Sequence, residues 1–421
     1  MKRFFGWAFT FALILSPKVE AKSRFSFSGK SYHRFFQYTD NDDLGPGFDN
    51  WLFAQQKAEF NSSFAGRAQI YAFAGNSKAD LIQAQDNVEQ RKEISEVWPG
   101  DIYLQAATGP ALLRLGYQQI SWQEGIGLSY TNFINARDYR ASLFDPPDQV
   151  YRSAPAANLI LSGEHLSLQV VYMPFAQHDL APPFSRWARV DFTLVPGQTV
   201  QVENPENFES SQDAGGRLTW AGEGFDISAF YFSLADRKLT YTVAPTSTIT
   251  DIELIGDQKK ISPRGLTTSF SVFDFLFRLE YMEVPQRRWN RLDAGTLSTV
   301  DLDEKALTLG LDSPAWDKFS FSLQASVSSL AEDVEGLERE QVENLSFASL
   351  NYTFRTDTVL QAMALYHESD RSLFQRYSFS WPVTKTVEMA LAYEASAGPE
   401  NSQGAVWKDL NRGFLQLNHA F

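Results

Sequence analysis

Three features of the sequence predict an all-β chain that closes into a transmembrane, antiparallel, up-and-down β-barrel of about 18 strands. Apolar and polar residues alternate with a period of two, as they do in strands whose two faces meet different surroundings. Short connectors alternate with long polar ones. The 421 residues include 10 Trp, 16 Tyr and 34 Phe, and a membrane barrel carries aromatic residues on its outer face as girdles.

Residues 1–21 are expected to be a cleaved secretory signal peptide. Lys2 and Arg3 supply a positive start, residues 4–15 an apolar run, and 19–21 a small-x-small cleavage site. The run is shorter than the roughly 20 residues of a spanning helix, which argues against a membrane anchor. No internal repeat or linker divides the remainder, so residues 22–421 are expected to form a single barrel domain.

The charge and the cysteine content exclude several classes of protein. The formal net charge is −14, and cleavage after residue 21 makes it −16 by removing three basic residues and one acidic residue (Lys2, Arg3, Lys18 and Glu20). Nucleic-acid binding depends on basic surfaces, so we predict no nucleic-acid partner. The chain has no cysteine, which excludes disulfides and thiol catalysis. No later apolar run reaches the length of a spanning helix.

The alternating segments predict strands long enough to cross a membrane. A tilted crossing strand needs about ten residues, whereas an ordinary strand has nearer five or six, which makes a soluble β-sandwich the weaker alternative. About twenty segments can be counted, two of them weak and near residues 187–203. An even number is required, so we predict 18 strands, with 16 and 20 as alternatives. Clear examples cover residues 25–28, 64–70, 166–172, 188–194, 273–281, 318–327, 349–354 and 376–381.

Connector lengths support the same fold. In such barrels, short periplasmic turns alternate with long external loops, and a sandwich has no reason to keep that parity. Short turns are predicted at 61–62, 109–110, 163–164, 222–224, 313–314, 355–357 and 382–383. Long loops are predicted at 75–100, 122–155, 174–185, 284–296 and 329–342.

Polar residues on the predicted inner faces are candidates to line an aqueous pore. Fixed charges in such positions set ion selectivity in channels. The alternative is that they only form salt bridges that hold the wall in shape. The candidates are Arg67, Arg114, Gln118, Arg189, Asp191, Asp274, Arg278, Glu280, Arg376 and Glu388.

The connector 122–155 is a candidate constriction loop. Loops longer than about 12 to 15 residues are often functional. If this one folds inward, its charged side chains would meet the wall arginines and narrow the channel. An ordinary surface loop is the alternative. The candidate residues are Trp122, Glu124, Arg137, Asp138 and Arg140.

Motifs of enzymes and cofactor sites are missing from the sequence. None of the five histidines has zincin spacing to another, and no G-x-S-x-G elbow or Gly-rich phosphate loop is present. The acidic run 40–43 is more typical of a solvated loop tip than of a calcium site. We therefore predict no cofactor, no metal and no enzymatic activity. His178 and Asp179 near Ser185 leave a barrel-type hydrolase as a weak alternative.

The C-terminus carries a candidate assembly signal. The chain ends in Phe421, and Gly413, Leu415 and Leu417 fall on the same strand face. This pattern resembles the terminal signal by which outer-membrane barrels are recognised for assembly. His419 stands where that pattern usually has an aromatic or aliphatic residue.

A central stretch resembles porin-like barrels of diderm bacteria, a group that includes alginate-export and other monomeric substrate porins. The resemblance rests on residues 94–98, on the strand LRLGYQQISW at 113–122, and on VVYMPF at 170–175. Gln123 stands where the group commonly has glycine after tryptophan. The match covers roughly residues 90–180 and implies a barrel whose strand leads into a tryptophan-containing loop.

These features together predict a channel for passive diffusion of small hydrophilic solutes in the outer membrane of a Gram-negative-type bacterium. The expected partners are outer-membrane lipid, the outer-membrane assembly machinery and small hydrophilic solutes. The oligomeric state is open, with a monomer slightly favoured. The alternative is a barrel plugged by its loops, with a structural or adhesion role; a barrel-type hydrolase is the less favoured one.

Overall fold

The computed structural model describes residues 24–39, 46–75, 94–123, 129–139, 144–145, 150–175, 177–180, 199–203, 210–245, 247, 251–293, 296–355, 357–400, 402–408 and 411–421. The predicted signal peptide and its cleavage site, the acidic run 40–43 and Ser185 therefore lie outside the described residues.

Strands make up nearly all of the described structure. They are β1 (Arg24–Tyr38), β2 (Pro46–Asn61), β3 (Phe64–Gly75), β4 (Ile94–Thr108), β5 (Ala111–Gln118), β6 (Ala154–Ser162), β7 (Leu166–Phe175), β8 (Thr199–Glu203), β9 (Ser210–Gly222), β10 (Phe225–Ala235), β11 (Thr240–Val243), β12 (Asp251–Asp257), β13 (Lys260–Ile261), β14 (Arg264–Val272), β15 (Phe275–Asp293), β16 (Thr296–Asp312), β17 (Phe319–Leu330), β18 (Val342–Arg355), β19 (Thr358–His367), β20 (Ser372–Pro382), β21 (Val387–Ala397) and β22 (Arg412–Ala420).

Eighteen of these strands form one closed antiparallel barrel, which confirms the predicted fold class and strand number. Each barrel strand pairs with the next barrel strand along the chain. The barrel closes where β22 pairs with β1, in a register that places Arg34 opposite Gln416 and Tyr38 opposite Arg412. Closure pairs the backbone groups of every strand, which a bilayer requires because it offers no water to hydrogen-bond them.

Four short strands lie outside the barrel wall. β8 pairs in parallel with β12, and β12 pairs with β11 in a separate small sheet. β13, which is two residues long, pairs antiparallel with the end of β10. The weak segment predicted near 187–203 is therefore not a barrel strand where it is described, at 199–203. Its alternation is satisfied by pairing with a loop strand instead.

The connectors alternate as predicted, with one correction. Short turns follow β2, β4, β6, β9, β14, β16, β18 and β20, and longer excursions follow most of the intervening strands. The predicted loop 284–296 is wrong, because β15 and β16 continue as a paired ladder to Asp293 and Thr296. The register shifts between Val284 and Arg287, where Pro285 has no N–H for the ladder and Gln286 has a φ of 49°. This extension carries polar residues on both faces, so its sequence lacks the alternation of apolar and polar residues from which strands were predicted.

The two faces of the wall are inverted relative to a soluble protein. Large apolar side chains are exposed on the outside, such as Phe27 (66%), Leu309 (50%) and Leu391 (58%). Polar side chains such as Thr267 and Thr308 are buried on the inside. Burial of exposed apolar surface is favourable by about 25 cal/mol per Å², so this outer face is stable against hydrocarbon rather than water.

One short helix, α1 (Gln403–Lys408), lies between β21 and β22. Within the described ranges, no helix has the length and apolar character needed to span a bilayer.

Candidate functional site

The strand identified as central in the sequence places its polar side chains on the inner wall. Arg114 lies on β5, where its Nε donates to Gln105 Oε1 at 2.9 Å. Its guanidinium lies 5.3 Å from the centre of the Tyr103 ring. Gln118 lies four residues further along the same face and is 3% exposed. Its Nε2 donates to the Ala156 carbonyl at 3.0 Å, so this end of the strand is fixed to β6.

Two further wall arginines are paired with carboxylates. Arg67 on β3 donates to Gln55 Oε1 at 2.8 Å and lies 3.5 Å from Asp101. Arg278 on β15 forms an ion pair with Asp312 on β16. Both arginines remain partly accessible from the interior. Their charges are therefore balanced locally while their side chains still line the lumen.

The remaining wall candidates lie near the seam where the barrel closes. Arg376 on β20 lies 3.5 Å from Glu394 on β21. Glu388, also on β21, accepts a hydrogen bond from Asn418 on β22 at 2.9 Å. The inner face of the last strands is thus an alternating set of charges and amides.

Several predicted residues do not fall on a described inner wall. Asp274 lies in the two-residue turn between β14 and β15, with a φ of 66°, and is exposed. Asp is among the few residues that tolerate this left-handed conformation, which explains its presence in the turn. The expectation that it lines the pore from a strand is therefore corrected. Arg189, Asp191, Glu124 and Arg140 lie outside the described residues.

The connector between β5 and β6 is here called the inward loop (residues 119–153), and its described residues (119–123, 129–139, 144–145 and 150–153) fold into the barrel. Its first anchor is Trp122, which is 0% exposed and donates from Nε1 to Gln169 Oε1 on β7 at 2.9 Å. The indole packs against Phe230 and Phe232 of β10, with ring centres 5.9 and 5.5 Å away. Together with Ile134, these residues form an apolar cluster that fills one side of the lumen.

A second anchor joins the inward loop to β15. The hydroxyls of Ser129 and Thr131 both donate to Glu280 Oε2, the latter at 3.0 Å. Glu280 is 2% exposed. This predicted pore-lining carboxylate therefore holds the loop as well as lying on the wall.

A third anchor joins the inward loop to the strands beside the seam. Arg34 on β1 donates to Asp145 Oδ1 at 3.0 Å, and Arg376 donates to the Phe144 carbonyl at 3.1 Å. Burial raises the pKa of the Asp145 carboxyl, but the guanidinium groups of Arg34, Arg376 and Arg412 outweigh it and hold the pKa below its usual value. Asp145 is therefore ionised and binds the wall as an anion.

Four charged residues of this group were missed by sequence reasoning, namely Arg34, Asp49, Glu394 and Arg412. Arg412 donates twice to Glu394 Oε2, at 2.9 and 2.8 Å, and Arg34 lies 3.9 Å from Asp49. Parity along β1 could have identified Arg34, because it shares a face with Lys30 and Tyr32. No local signal predicts that these strands meet across the seam.

Arg137 of the inward loop contacts the connector after β7, whereas Asp138 contacts Arg152 of the inward loop itself, so these contacts do not involve the wall arginines. The Arg137 N–H donates to Asp179 Oδ1 at 2.7 Å, and Asp138 lies 3.7 Å from Arg152. Burial, together with the nearby Asp236 carboxylate, raises the pKa of Asp179 to about 6, although the bond from Arg137 lowers it. Through these contacts, Arg137 and Asp138 stabilise the position of the inward loop.

Arg237, in the connector after β10, fixes the apolar part of the inward loop from the side. Its Nε donates to the Ile134 carbonyl at 2.8 Å and its Nη1 to the Gln177 carbonyl at 3.2 Å. Its guanidinium also lies 3.1 Å from Asp213 on β9. A buried arginine with these partners holds three chain segments in one arrangement.

Two cavities lie between the inward loop and the wall. One, of about 360 Å³, is lined by β1 to β4 and by loop residues Gln119, Tyr151 and Ser153. The other, of about 160 Å³, is lined by Arg34, Arg376 and neighbours that include Phe144. A larger groove of about 600 Å³ lies on β14 to β19 and is formed mainly by outward-facing residues, so it belongs to the lipid side. In the described part of the chain, no three acidic or histidine side chains converge as metal ligands.

The predicted assembly residues lie on the outer face at the seam. Gly413, Leu415 and Leu417 fall on the exterior of β22, and Phe421 follows its end. Phe421 exchanges two backbone hydrogen bonds with Gly29 of β1, at 2.8 and 3.0 Å. The terminal residue therefore sits where the barrel closes.

Comparisons with known proteins agree with this architecture. No family model matches the chain, and no curated protein matches it. Among solved structures, Pseudomonas aeruginosa OccK8 (OprE) has a TM-score of 0.52 at 8% identity, covering 95% of this chain and 98% of that chain. Acinetobacter baumannii OccAB3 has a TM-score of 0.51 at 9% identity, covering 95% and 99%. Salmonella typhi OmpF, in complex with daunomycin, has a TM-score of 0.50 at 8% identity, covering 94% and 97%.

These neighbours are outer-membrane porins, and they match this chain over nearly the whole length of both proteins. At such low identity the likeness concerns the fold. The chain therefore has the fold of the porin-like outer-membrane β-barrels of Gram-negative bacteria.

Proposed function

We propose that the protein is an outer-membrane channel through which small hydrophilic solutes diffuse passively. The observation that carries this proposal is the pair of cavities between the inward loop and the charged inner wall. They lie inside a closed barrel and are lined by Arg, Gln, Asp and Ser side chains. Such a space can hold water and small polar solutes, whereas the apolar outer surface favours contact with lipid.

Barrel size supports an aqueous path. About eight strands give an interior that side chains alone can fill, and 16 to 18 strands leave a channel unless loops block it. Here the inward loop and its apolar cluster occupy the side of the lumen near β6, β7, β10 and β15. The side lined by β1 to β4 and β20 to β22 keeps the cavities. The loop therefore acts as a constriction that narrows the path and directs it along one wall.

The charges beside this path are suited to selecting solutes. Arg34, Arg376 and Arg412 lie together with Asp145 and Glu394 around the narrower cavity. Charges held at a constriction with little water act more strongly on a passing ion than charges on an open surface. We propose that this group, together with the predicted pore-lining residues, sets the selectivity of the channel.

Transport would be passive, because the sequence carries no nucleotide-binding motif and the proposed path needs no energy source. We propose that the protein has no enzymatic activity and binds no cofactor. The proposed partners are outer-membrane lipid, the assembly machinery that recognises the C-terminal strand, and the solutes themselves. The resemblance around residues 90–180 favours the monomeric substrate-porin type.

A second candidate is a loop-plugged barrel with a structural or adhesion role. The apolar cluster around Trp122 favours it, because the residues of this cluster are buried and occupy one side of the lumen. If the cavities on the other side do not connect through the barrel, nothing would pass. The two candidates differ in conductance alone, which makes conductance the deciding measurement.

The test is single-channel recording of the refolded mature chain (residues 22–421) in a planar bilayer. A matched pair of variants replaces either loop residues 129–139 or turn residues 383–386 with Gly-Ser linkers of the same length. The wild type and the turn variant should show equal, stable conductance steps. The loop variant should show larger steps, because it removes the constriction.

Silence from wild-type protein that is demonstrably folded and inserted would overturn the open channel. If the loop variant then conducts, the barrel is plugged by the inward loop. Equal conductance in all three proteins would leave the channel in place but remove the inward loop from the conduction path.

A further inference from the structure

The larger lumen cavity, here called the wall cavity, combines an apolar surface with fixed hydrogen-bonding groups. It has a volume of about 360 Å³ and lies between the inner faces of β1 to β4 and the inward loop. Small-molecule sites typically have volumes of about 300–1,000 Å³, so this cavity is near the lower limit of that range. It has room for a solute of one or two sugar rings rather than for a longer chain.

Three aromatic side chains form one side of the wall cavity. Tyr71 and Trp98 stack with ring centres 5.9 Å apart and planes at 15°, and Phe53 lies 5.1 Å from Tyr71. Arg152 lies 5.6 Å from the centre of the Trp98 ring. Tyr71 and Trp98 are each only 8% exposed and pack in a buried aromatic cluster with Trp51 and Phe73. They therefore form a rigid base, and the accessible aromatic surface of the cavity is that of the half-buried Phe53 and Tyr151. Tyr151 of the inward loop lines the same cavity.

The polar side of the wall cavity is held by a chain of hydrogen bonds. Gln55 Oε1 accepts from Arg67 at 2.8 Å and from Gln69 Nε2 at 2.6 Å. Gln69 Oε1 accepts from the Asp101 N–H at 3.1 Å, and Asp101 lies 3.5 Å from Arg67. Planar amide, guanidinium and carboxylate groups are thus fixed close together. Groups oriented in this way bind a solute at a lower entropic cost than free side chains would.

We propose that the wall cavity is a binding site for a neutral saccharide. A pyranose ring has C–H faces that pack on flat aromatic surfaces and a rim of hydroxyls that both donate and accept. Neighbouring hydroxyls match the paired atoms of an amide, a guanidinium or a carboxylate. The wall cavity presents both kinds of surface to one small volume, and this combination fits a sugar better than a purely apolar or purely ionic solute.

Charge balance favours a neutral solute over an acidic one. The Arg67 guanidinium already faces the Asp101 carboxylate and the Gln55 amide, so its charge is largely compensated. An anion would gain little from Arg67 and would approach Asp101. The other cation that lines the cavity, Lys30, is exposed, so water and salt screen its attraction for an anion. An apolar solute would displace water from the glutamine and aspartate groups and leave their remaining hydrogen-bonding capacity unmet, which is unfavourable. A neutral polyol avoids both costs.

This inference rests on the proposed channel, since the wall cavity lies in the lumen. It can nevertheless be tested without conduction, because binding at equilibrium needs only folded protein. The probes are maltose and sucrose, with glucuronate as the acidic comparison. Titration calorimetry of the full mature chain in detergent should show saturable binding of at least one neutral disaccharide, and weaker binding of glucuronate.

Two variants locate the site. Phe53→Ala removes part of the accessible aromatic surface and should weaken disaccharide binding by about tenfold, since aromatic contacts contribute on this scale. Asp101→Asn keeps the shape of the side chain while removing its charge and should also weaken binding. Trp381→Ala is the control, because Trp381 lies on the outer face of β20 and should leave binding unchanged. If Phe53→Ala does not fold, Asp101→Asn alone decides the location.

Bilayer recordings separate this inference from the channel itself. If the protein conducts and disaccharides interrupt the current in the wild type but less in Asp101→Asn, both proposals stand. Conduction without binding of either disaccharide overturns the saccharide site and leaves the channel. Binding that is equally strong in Asp101→Asn, or tighter for glucuronate, overturns the site as described here. Silence in the bilayer with calorimetric binding overturns the channel alone.

Discussion

Asp145 of the inward loop accepts a hydrogen bond at 3.0 Å from Arg34 on β1, and both side chains are less than a tenth exposed. This contact joins the long connector after β5 to the strand that closes the barrel. Arg376 on β20 lies 3.9 Å from the same carboxylate. One loop carboxylate thus offsets part of the positive charge of the adjacent wall.

We predict that Asp145→Asn changes the ion selectivity of the channel. The substitution leaves the wall arginines with less negative charge and weakens the attachment of the loop by on the order of 3 kcal/mol, because it removes one charge of a buried pair. The reversal potential under a KCl gradient should shift toward anion selectivity. Asp333→Asn, at an exposed loop position, carries the same change in charge and should shift the potential much less. Equal shifts in both variants would contradict a place for Asp145 beside the ion path.

Asp179 should make the packing of the loops depend on pH. Its pKa in the folded protein is about 6 against an ordinary value of 3.8, chiefly because it is buried. Protonation therefore favours the folded loops, and this contribution is fully present below pH 3.8 and is lost as the pH rises through about 6. A shift of this size corresponds to about 3 kcal/mol.

The measurement is hydrogen exchange of residues 129–139, corrected for the intrinsic effect of pH. Protection should be lower at pH 7.5 than at pH 5 in the wild type. Asp179→Asn cannot ionise at this position and should show a nearly flat profile. A wild-type profile as flat as that of the variant would show that Asp179 is not the titrating group.

Gly116 should be intolerant of a side chain. Its φ is 134°, and a Cβ added there would lie 2.1 Å from the Ile102 carbonyl oxygen on β4. Strained backbone of this kind costs about 1–3 kcal/mol, and the clash adds to it. Gly116→Ala should therefore lower the free energy of unfolding in detergent by at least about 2 kcal/mol.

Gly413→Ala is the matched control for this prediction. Gly413 lies on the outer face of β22, and an added Cβ would meet nothing within 4 Å. Its effect should stay within about 0.5 kcal/mol. The free energy of unfolding of both variants is measured by urea titration, with the folded fraction monitored by its electrophoretic mobility. Comparable losses in the two variants would show that strain at Gly116 is not the cause.

Local alternation was sufficient to predict most of the wall. Along β15 it places Phe277 on one face and Arg278 and Glu280 on the other, because successive side chains of a strand point to opposite faces. The pattern is visible in the sequence because the two faces meet different media. It failed at Asp274, where a two-residue turn interrupts the period. It failed again over 284–296, where the ladder extends beyond the apolar band and both faces are polar.

The sequence does not predict contacts between segments that are far apart along the chain. Arg34 and Asp145 are separated by 111 residues, and their contact depends on the path of the inward loop across the lumen. The loop was singled out by length and charge, but its anchors on Glu280 and Arg376 follow from barrel closure, which places those strands around it. The role of Arg237 in holding Ile134 has no local signature either, since a charged residue in a connector is ordinarily solvated.

The last prediction concerns the terminal phenylalanine. Phe421→Ala keeps both backbone hydrogen bonds to Gly29 and loses only a ring that is about half exposed and lies 6.0 Å from Phe27. The free energy of unfolding in detergent should therefore change by no more than about 1 kcal/mol. In cells, by contrast, the amount of barrel in the outer membrane should fall severalfold, because the proposed recognition signal is damaged. Phe25→Ala removes a ring of similar exposure from the adjacent strand and should leave assembly intact. If both variants reach the membrane equally well, the C-terminal phenylalanine contributes only apolar surface and the assembly signal lies elsewhere in the chain.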